Sequence, residues 1–318
     1  MEYFKNETFH PSKFYKLDLK DLFFLDKLPF NIFIKNDDRP QLIKNLGDKL
    51  PKEFFLQCYQ KEISTIYVVK NEEQLLIEAV YIEIINLGRK ISTFTPSEFS
   101  KKLIHFMATL QKLIYLFPLH EKLISYQSVA FKIWITFVKK QTNHQLQKLF
   151  KNIYNGPYDN KILRSIICAT FMFKLVQREQ LFTEAYMQNL ALSCLFNNIG
   201  QALVDKNAIS SDEFEAKIQR YSNLILSINT DLMPQNLTMI KNGTKIEEKN
   251  VTSSSLTGHE TCYYKASNFV VKKIFTNNID HPFSLKEILT ELKKKIGPEF
   301  HREYKNVVLS SLEIFGWQ

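Results

Sequence analysis

The stretch Leu190-Ala-Leu-Ser-Cys-Leu-Phe-Asn197-Asn198-Ile199-Gly200-Gln201 runs from an unbroken apolar segment into two consecutive amides. From Phe182 to Asn197 the residues are apolar almost all round, the pattern of a helix enclosed within a helical core. A loop follows, and Ser210-Ser-Asp-Glu213 then reads as a capping box, in which hydroxyl and carboxylate satisfy the free N–H groups of a new helix. The ordinary role of Asn at a helix end is to hydrogen-bond exposed backbone groups. The sharper alternative is that Asn197 and Asn198 hydrogen-bond the base or phosphate of a nucleotide.

This helix, loop and capped helix resemble the HD-GYP branch of the HD-domain superfamily. In that family an apolar helix ends in His-Asp-Ile-Gly-Lys, and a helix of Glu-Glu-Phe type carries the next metal-binding His. Here the His and Asp positions read Asn197 and Asn198, and the Lys position reads Gln201. Counting back without gaps places the family's first metal-binding His at Ser165, beside Arg164. The His of the Lys-x-His-Pro setting falls at Arg220 or Tyr221. Gly258-His259-Glu260 corresponds to the His-His-Glu pair with one His kept, and Thr261-Cys262-Tyr263-Tyr264 stands where Gly-Tyr-Pro should begin. In Lys265-Ala266-Ser267-Asn268-Phe269 the family's Asp ligand reads Ser267. Downstream, Pro282-Phe-Ser-Leu-Lys-Glu287 and Ile296-Gly297-Pro298-Glu299-Phe300 keep the family's helix and its punctuation.

A di-iron or di-manganese centre needs carboxylate and imidazole donors, whose charge and lone pairs offset the removal of water from the metal. Amide and hydroxyl oxygens at those positions are neutral and weaker donors. The resemblance therefore implies a degenerate site lined by Ser165, Asn197, Asn198, Gln201, Arg220, His259, Glu260 and Ser267, with no metal, no cofactor and no catalytic residue. His259 with Cys262 three residues on is a lone His-x-x-Cys, weak evidence for zinc without a second pair.

Composition narrows the classes. With 318 residues, 45% of them hydrophobic and 26 Phe and 14 Tyr among them, the chain can bury a sizeable core in about two domains. A net charge of +9, from 42 Lys and Arg against 33 Asp and Glu, favours anionic partners. The bases are spread along the chain without a recognition motif, so nucleic acid is not expected as a partner. The 8 glycines form no phosphate-cradling loop, and neither a Ser nucleophile elbow nor a His-Glu-x-x-His helix is present. Cys58, Cys168, Cys194 and Cys262 form no Cys-x-x-Cys pair, which suits a reducing compartment. No signal peptide opens the sequence, and no uncharged apolar run reaches the ~18 residues of a spanning helix. A cytoplasmic location without a membrane span is expected.

The expected fold is mainly α, an all-α HD-GYP-like helical domain preceded by a small α+β N-terminal domain. In the N-terminal domain, residues 1–75, Phe30, Ile32 and Ile34 alternate with Asn31 and Lys35 as a strand closed by Asp37-Asp38-Arg39-Pro40. Glu53 to Lys61 reads as an amphipathic segment and Ser64 to Val69 as a closing strand. A helical connector, residues 76–157, includes Thr95-Pro96-Ser97-Glu98, a capping box with Pro at the first helical position. Helices are predicted over Pro96–Phe117, Lys122–Lys140 and His144–Ile153, and Asn155-Gly156-Pro157 breaks the chain. Residues 158–318 form the degenerate HD-GYP-like domain, with a polar flexible loop at 229–258. The function implied is a non-catalytic signalling pseudo-phosphodiesterase that engages a signalling protein partner or itself, or binds cyclic di-GMP. The alternative is an active phosphodiesterase rebuilt around His259 and Glu260.

Overall fold

The computed structural model describes residues 8–117, 120–154, 158–177, 182–196, 199, 263–264, 267–268 and 271. The chain divides into two compact units, Met1–Leu110 and Gln111–Gln318. Seven α-helices and one four-stranded sheet occur among the described residues, a mainly α fold.

The first unit is built on strands β1 (Phe14–Asp18), β2 (Ile32–Asn36), β3 (Arg39–Lys44) and β4 (Thr65–Val69), in spatial order β1-β4-β2-β3. All pairings are antiparallel. β4 shows the clean alternation of a half-buried strand, with Ile66 and Val68 inward. β2 departs from the alternation its sequence suggests. A register irregularity between Ile32 and Phe33 turns Phe33 inward, so Ile34 is only half-buried. The β2–β3 turn puts Asp37 at φ 50°, which a short polar residue tolerates. Pro40 lies on β3, at the sheet edge, where a missing N–H is accommodated.

β1 was not among the expected strands. Its two core residues, Phe14 and Leu17, are three apart, so the period-2 signal is absent although the strand pairs with β4 from Phe14↔Val69 to Asp18↔Thr65. Helix α1 (Lys52–Gln60) buries Phe54 and Cys58. Gly47 precedes it at φ +87°, donating its N–H to the Leu28 carbonyl at 2.9 Å. The left-handed backbone there suits glycine.

Helix α2 (Glu73–Arg89) buries Leu76, Ile77, Val80, Ile84 and Leu87, an apolar stripe of helical spacing. Helix α3 (Pro96–Leu116) opens with the predicted capping box: Thr95 N donates to Glu98 Oε2 at 3.1 Å, and Glu98 N donates to Thr95 Oγ1 at 3.3 Å. Those hydrogen bonds hold the Glu98 carboxyl below its usual range.

The described part of the second unit comprises the end of α3 with α4 (Glu121–Lys139), α5 (Asn143–Tyr154), α6 (Asn160–Gln177) and α7 (Glu184–Leu195). Of these, α3, α4, α5 and α7 fall within two residues of the spans expected from the sequence. The core helix α6 buries thirteen residues from Ile162 to Val176, and Trp134 of α4 donates its indole N–H to Thr170 Oγ1 at 2.8 Å within it. A buried indole nitrogen without an acceptor would be costly, so this bond fixes how α4 and α6 face each other. The N-cap of α7 is Thr183, whose hydroxyl accepts from Tyr186 N.

Candidate functional site

Residues 263, 264, 267, 268 and 271 are helical, and several lie against α6. On α6, positions four apart share a face, so Arg164, Cys168 and Met172 form a row. The Cys168 thiol donates to Asn268 Oδ1 at 3.5 Å, and Asn268 Nδ2 donates to the Tyr264 carbonyl at 3.1 Å. Ser267 Oγ donates to Met172 Sδ at 3.6 Å. Arg164 lies close enough to Cys168 and Tyr264 to interact electrostatically with both. Cys194 of α7 lies close enough to Cys168 that Cys168 influences its titration.

Burial sets the titration of the described groups here. Burial pushes the Cys194 thiol well above its ordinary range, reinforced by Cys168 beside it. Burial likewise raises the Tyr264 phenol, the neighbouring thiols adding to it and Asn268 and Arg164 opposing it. Both groups are therefore neutral near pH 7. The half-buried Arg164 guanidinium is drawn down by burial, yet guanidinium keeps its proton across the working range. Among the described residues no carboxylate pairs with Arg164.

Two of the sequence-predicted site residues fall among the described ones. Ser165 is buried on α6, and its hydroxyl donates to the Lys161 carbonyl one turn back at 3.1 Å. Ser267 is fully buried, with its hydroxyl directed at Met172. The structure does not join them at one point, because Met172 lies two helical turns beyond Ser165, about 10 Å of rise. Asn197, Asn198, Gln201, Arg220, His259 and Glu260 lie outside the described residues.

Among the described residues, both serine hydroxyls are engaged within the protein, and the charged group beside Cys168 and Tyr264 is the Arg164 guanidinium. Among the described residues no three His, Cys, Asp or Glu side chains gather closely enough to hold a metal ion.

The sequence reading passed over Arg164, Cys194, Tyr264 and Asn268 as site residues. The signal for Arg164 was its place next to Ser165 and four residues before Cys168. Tyr264 and Asn268 carried the matching i, i+4 spacing on the opposing segment.

A solved structure described as Bd1817, a HDG"Y"P protein from Bdellovibrio bacteriovorus, superposes on this chain with a TM-score of 0.61. The match covers 94% of this chain and 99% of that one, at 14% sequence identity. The fold is HD-GYP-like. At this identity the likeness extends to the fold alone. No protein-family model and no curated protein sequence matches the chain. Among the described residues, no helix is long and apolar enough to cross a membrane.

Proposed function

We propose that this chain is a non-catalytic signalling pseudo-phosphodiesterase of bacterial type, acting through the HD-GYP-like helical unit as a protein-interaction or cyclic-dinucleotide-binding module. The observation that supports this reading is the chemistry at two inherited ligand positions. Ser165 and Ser267 offer hydroxyls already bonded to Lys161 and Met172, and the described charge beside Cys168 and Tyr264, Arg164, has the wrong sign for a metal pocket. A metal-activated water needs anionic donors around the ion, and a neighbouring guanidinium opposes that arrangement.

The reading is tested by elemental analysis of the purified full chain, together with cyclic di-GMP turnover in added iron or manganese. Less than about 0.1 metal per chain, with the nucleotide intact, is the expected result; structural metal centres of this type bind far tighter than that occupancy allows. About two transition metals per chain, with turnover, would sink the pseudoenzyme reading and direct attention to His259 and Glu260.

A further inference from the structure

We propose that the outer face of α1 is a self-association surface, through which two copies of this chain pair about a two-fold axis with their α1 helices antiparallel. Phe54 and Cys58 bury one side of the helix. On the other side Leu56 is 60% exposed and Tyr59 81% exposed, three residues apart, and the half-buried Phe55 lies one turn before Tyr59. Phe23, 48% exposed in the β1–β2 connection, extends this surface, its ring 5.2 Å from that of Phe55. Single exposed apolar side chains are ordinary. Several joined through helix neighbours and a ring contact form a patch of the kind that a protein partner covers.

The charges at the ends of the helix indicate which partner fits. Exposed Lys52 and Glu53 precede the patch, and exposed Lys61 and Glu62 follow it, so each end carries one cation and one anion. An antiparallel second copy sets Leu56 against Tyr59 of the other chain. The same pairing brings Lys52 and Glu53 to the end that holds Lys61 and Glu62, where each cation meets an anion and the helix dipoles run head to tail. Such a contact is isologous and closes after two copies.

Glu62 supplies a second observation. It sits at φ 56°, left-handed backbone that glycine adopts freely, while the Ile63 N–H closes the helix on the Cys58 carbonyl at 2.8 Å. A glutamate held where glycine would be relaxed points to a use for its carboxylate, and Lys52 of a second copy provides one. One short helix and one extra ring per copy fall below the roughly 1,200 Å² of a standard interface, so the pair is weak and reversible. α1 belongs to the first unit, so self-association here is independent of whether the second unit is a pseudoenzyme.

Sedimentation velocity of the full chain from about 1 to about 300 μM should show a monomer–dimer equilibrium, the range in which small interfaces dissociate. Tyr59→Glu and Leu56→Glu each place a charge in the apolar centre and should weaken the dimer at least about tenfold. Both positions are exposed, and circular dichroism and melting establish that each variant keeps its fold. Glu53→Lys sets like charges together across an antiparallel pair and should weaken it. Adding Lys61→Glu to that variant makes one end basic and the other acidic, and should restore the antiparallel dimer.

A further measurement needs no variant. Carbodiimide coupling of mixed isotope-labelled and unlabelled wild-type chains, mapped by mass spectrometry, should join Lys61 of one copy to Glu53 of the other. Self-association through α1 is overturned if the chain is monomeric throughout the concentration range, if Tyr59→Glu dimerises as tightly as wild type, if the double variant stays as weak as Glu53→Lys alone, or if no crosslink between copies maps to α1.

Discussion

His105 in the first unit and Arg164 in the second are both basic side chains withdrawn from water, and they handle the charge in opposite ways. In the first unit His105 of α3 is 5% exposed, with its ring against Phe24 at 4.9 Å and a hydrogen bond to the Asp21 backbone. Burial, the leading cause, draws its pKa down to about 4; the Asp21 bond opposes the shift and Lys20 adds to it. His105 therefore meets its apolar surroundings by giving up its proton. In the second unit Arg164 has no such option, because guanidinium stays charged at any pH the fold survives. A buried base that can neutralise itself is a packing element. One that cannot must keep part of its hydration or find a partner for its charge.

That contrast breaks most visibly under acid. The folded pKa of His105, about 4, lies below the ordinary value of 6.5, so between those values the unfolded chain binds more protons than the folded one. Its contribution is fully present above pH 6.5 and is lost as pH falls toward 4, a decline of about 3 kcal/mol. Denaturant melts from pH 7 to 4 measure it. His105→Leu should remove most of the slope in that window. An unchanged slope would mean that His105 already carries charge in the folded protein.

A smaller effect is expected at Arg164, with opposite sign. Arg164→Met keeps much of the side-chain volume and removes a half-buried charge that no described carboxylate pairs, and should stabilise the protein by about 1 kcal/mol. Destabilisation in the same melts would show that the guanidinium is already compensated within the chain. The control for both is Gly47→Ala. At φ +87°, with open space around the position, an added methyl meets nothing, so the expected loss of about 1 kcal/mol is purely conformational. It should be equal at pH 7 and pH 5; a pH-dependent loss would mark the turn as coupled to a titrating group.

The parts of this fold visible in the sequence were those written in local chemistry. Thr95, Pro96 and Glu98 announce the start of α3 within four residues, because capping is a contact between near neighbours. Ile66 and Val68 announce β4 by alternation. β1 stayed hidden because Phe14 and Leu17 break that alternation, and its pairing with β4 lies some fifty residues away in sequence. The site divides along the same line. That Ser165 and Ser267 stand where the family carries metal ligands is what the resemblance implies, and only the resemblance brings those two positions to notice. That the Ser267 hydroxyl bonds Met172, 95 residues away, is a fact about a distant partner that no local pattern records.

The thiols carry a last consequence. Cys58 of α1 and the neighbouring pair Cys168 and Cys194 are all free and buried, one in the first unit and two in the second. A thiol reagent reaches them only when the surrounding helices part. The rate at which each cysteine is labelled thus reports how often its own unit opens, and the chain carries a native clock for local unfolding in each half.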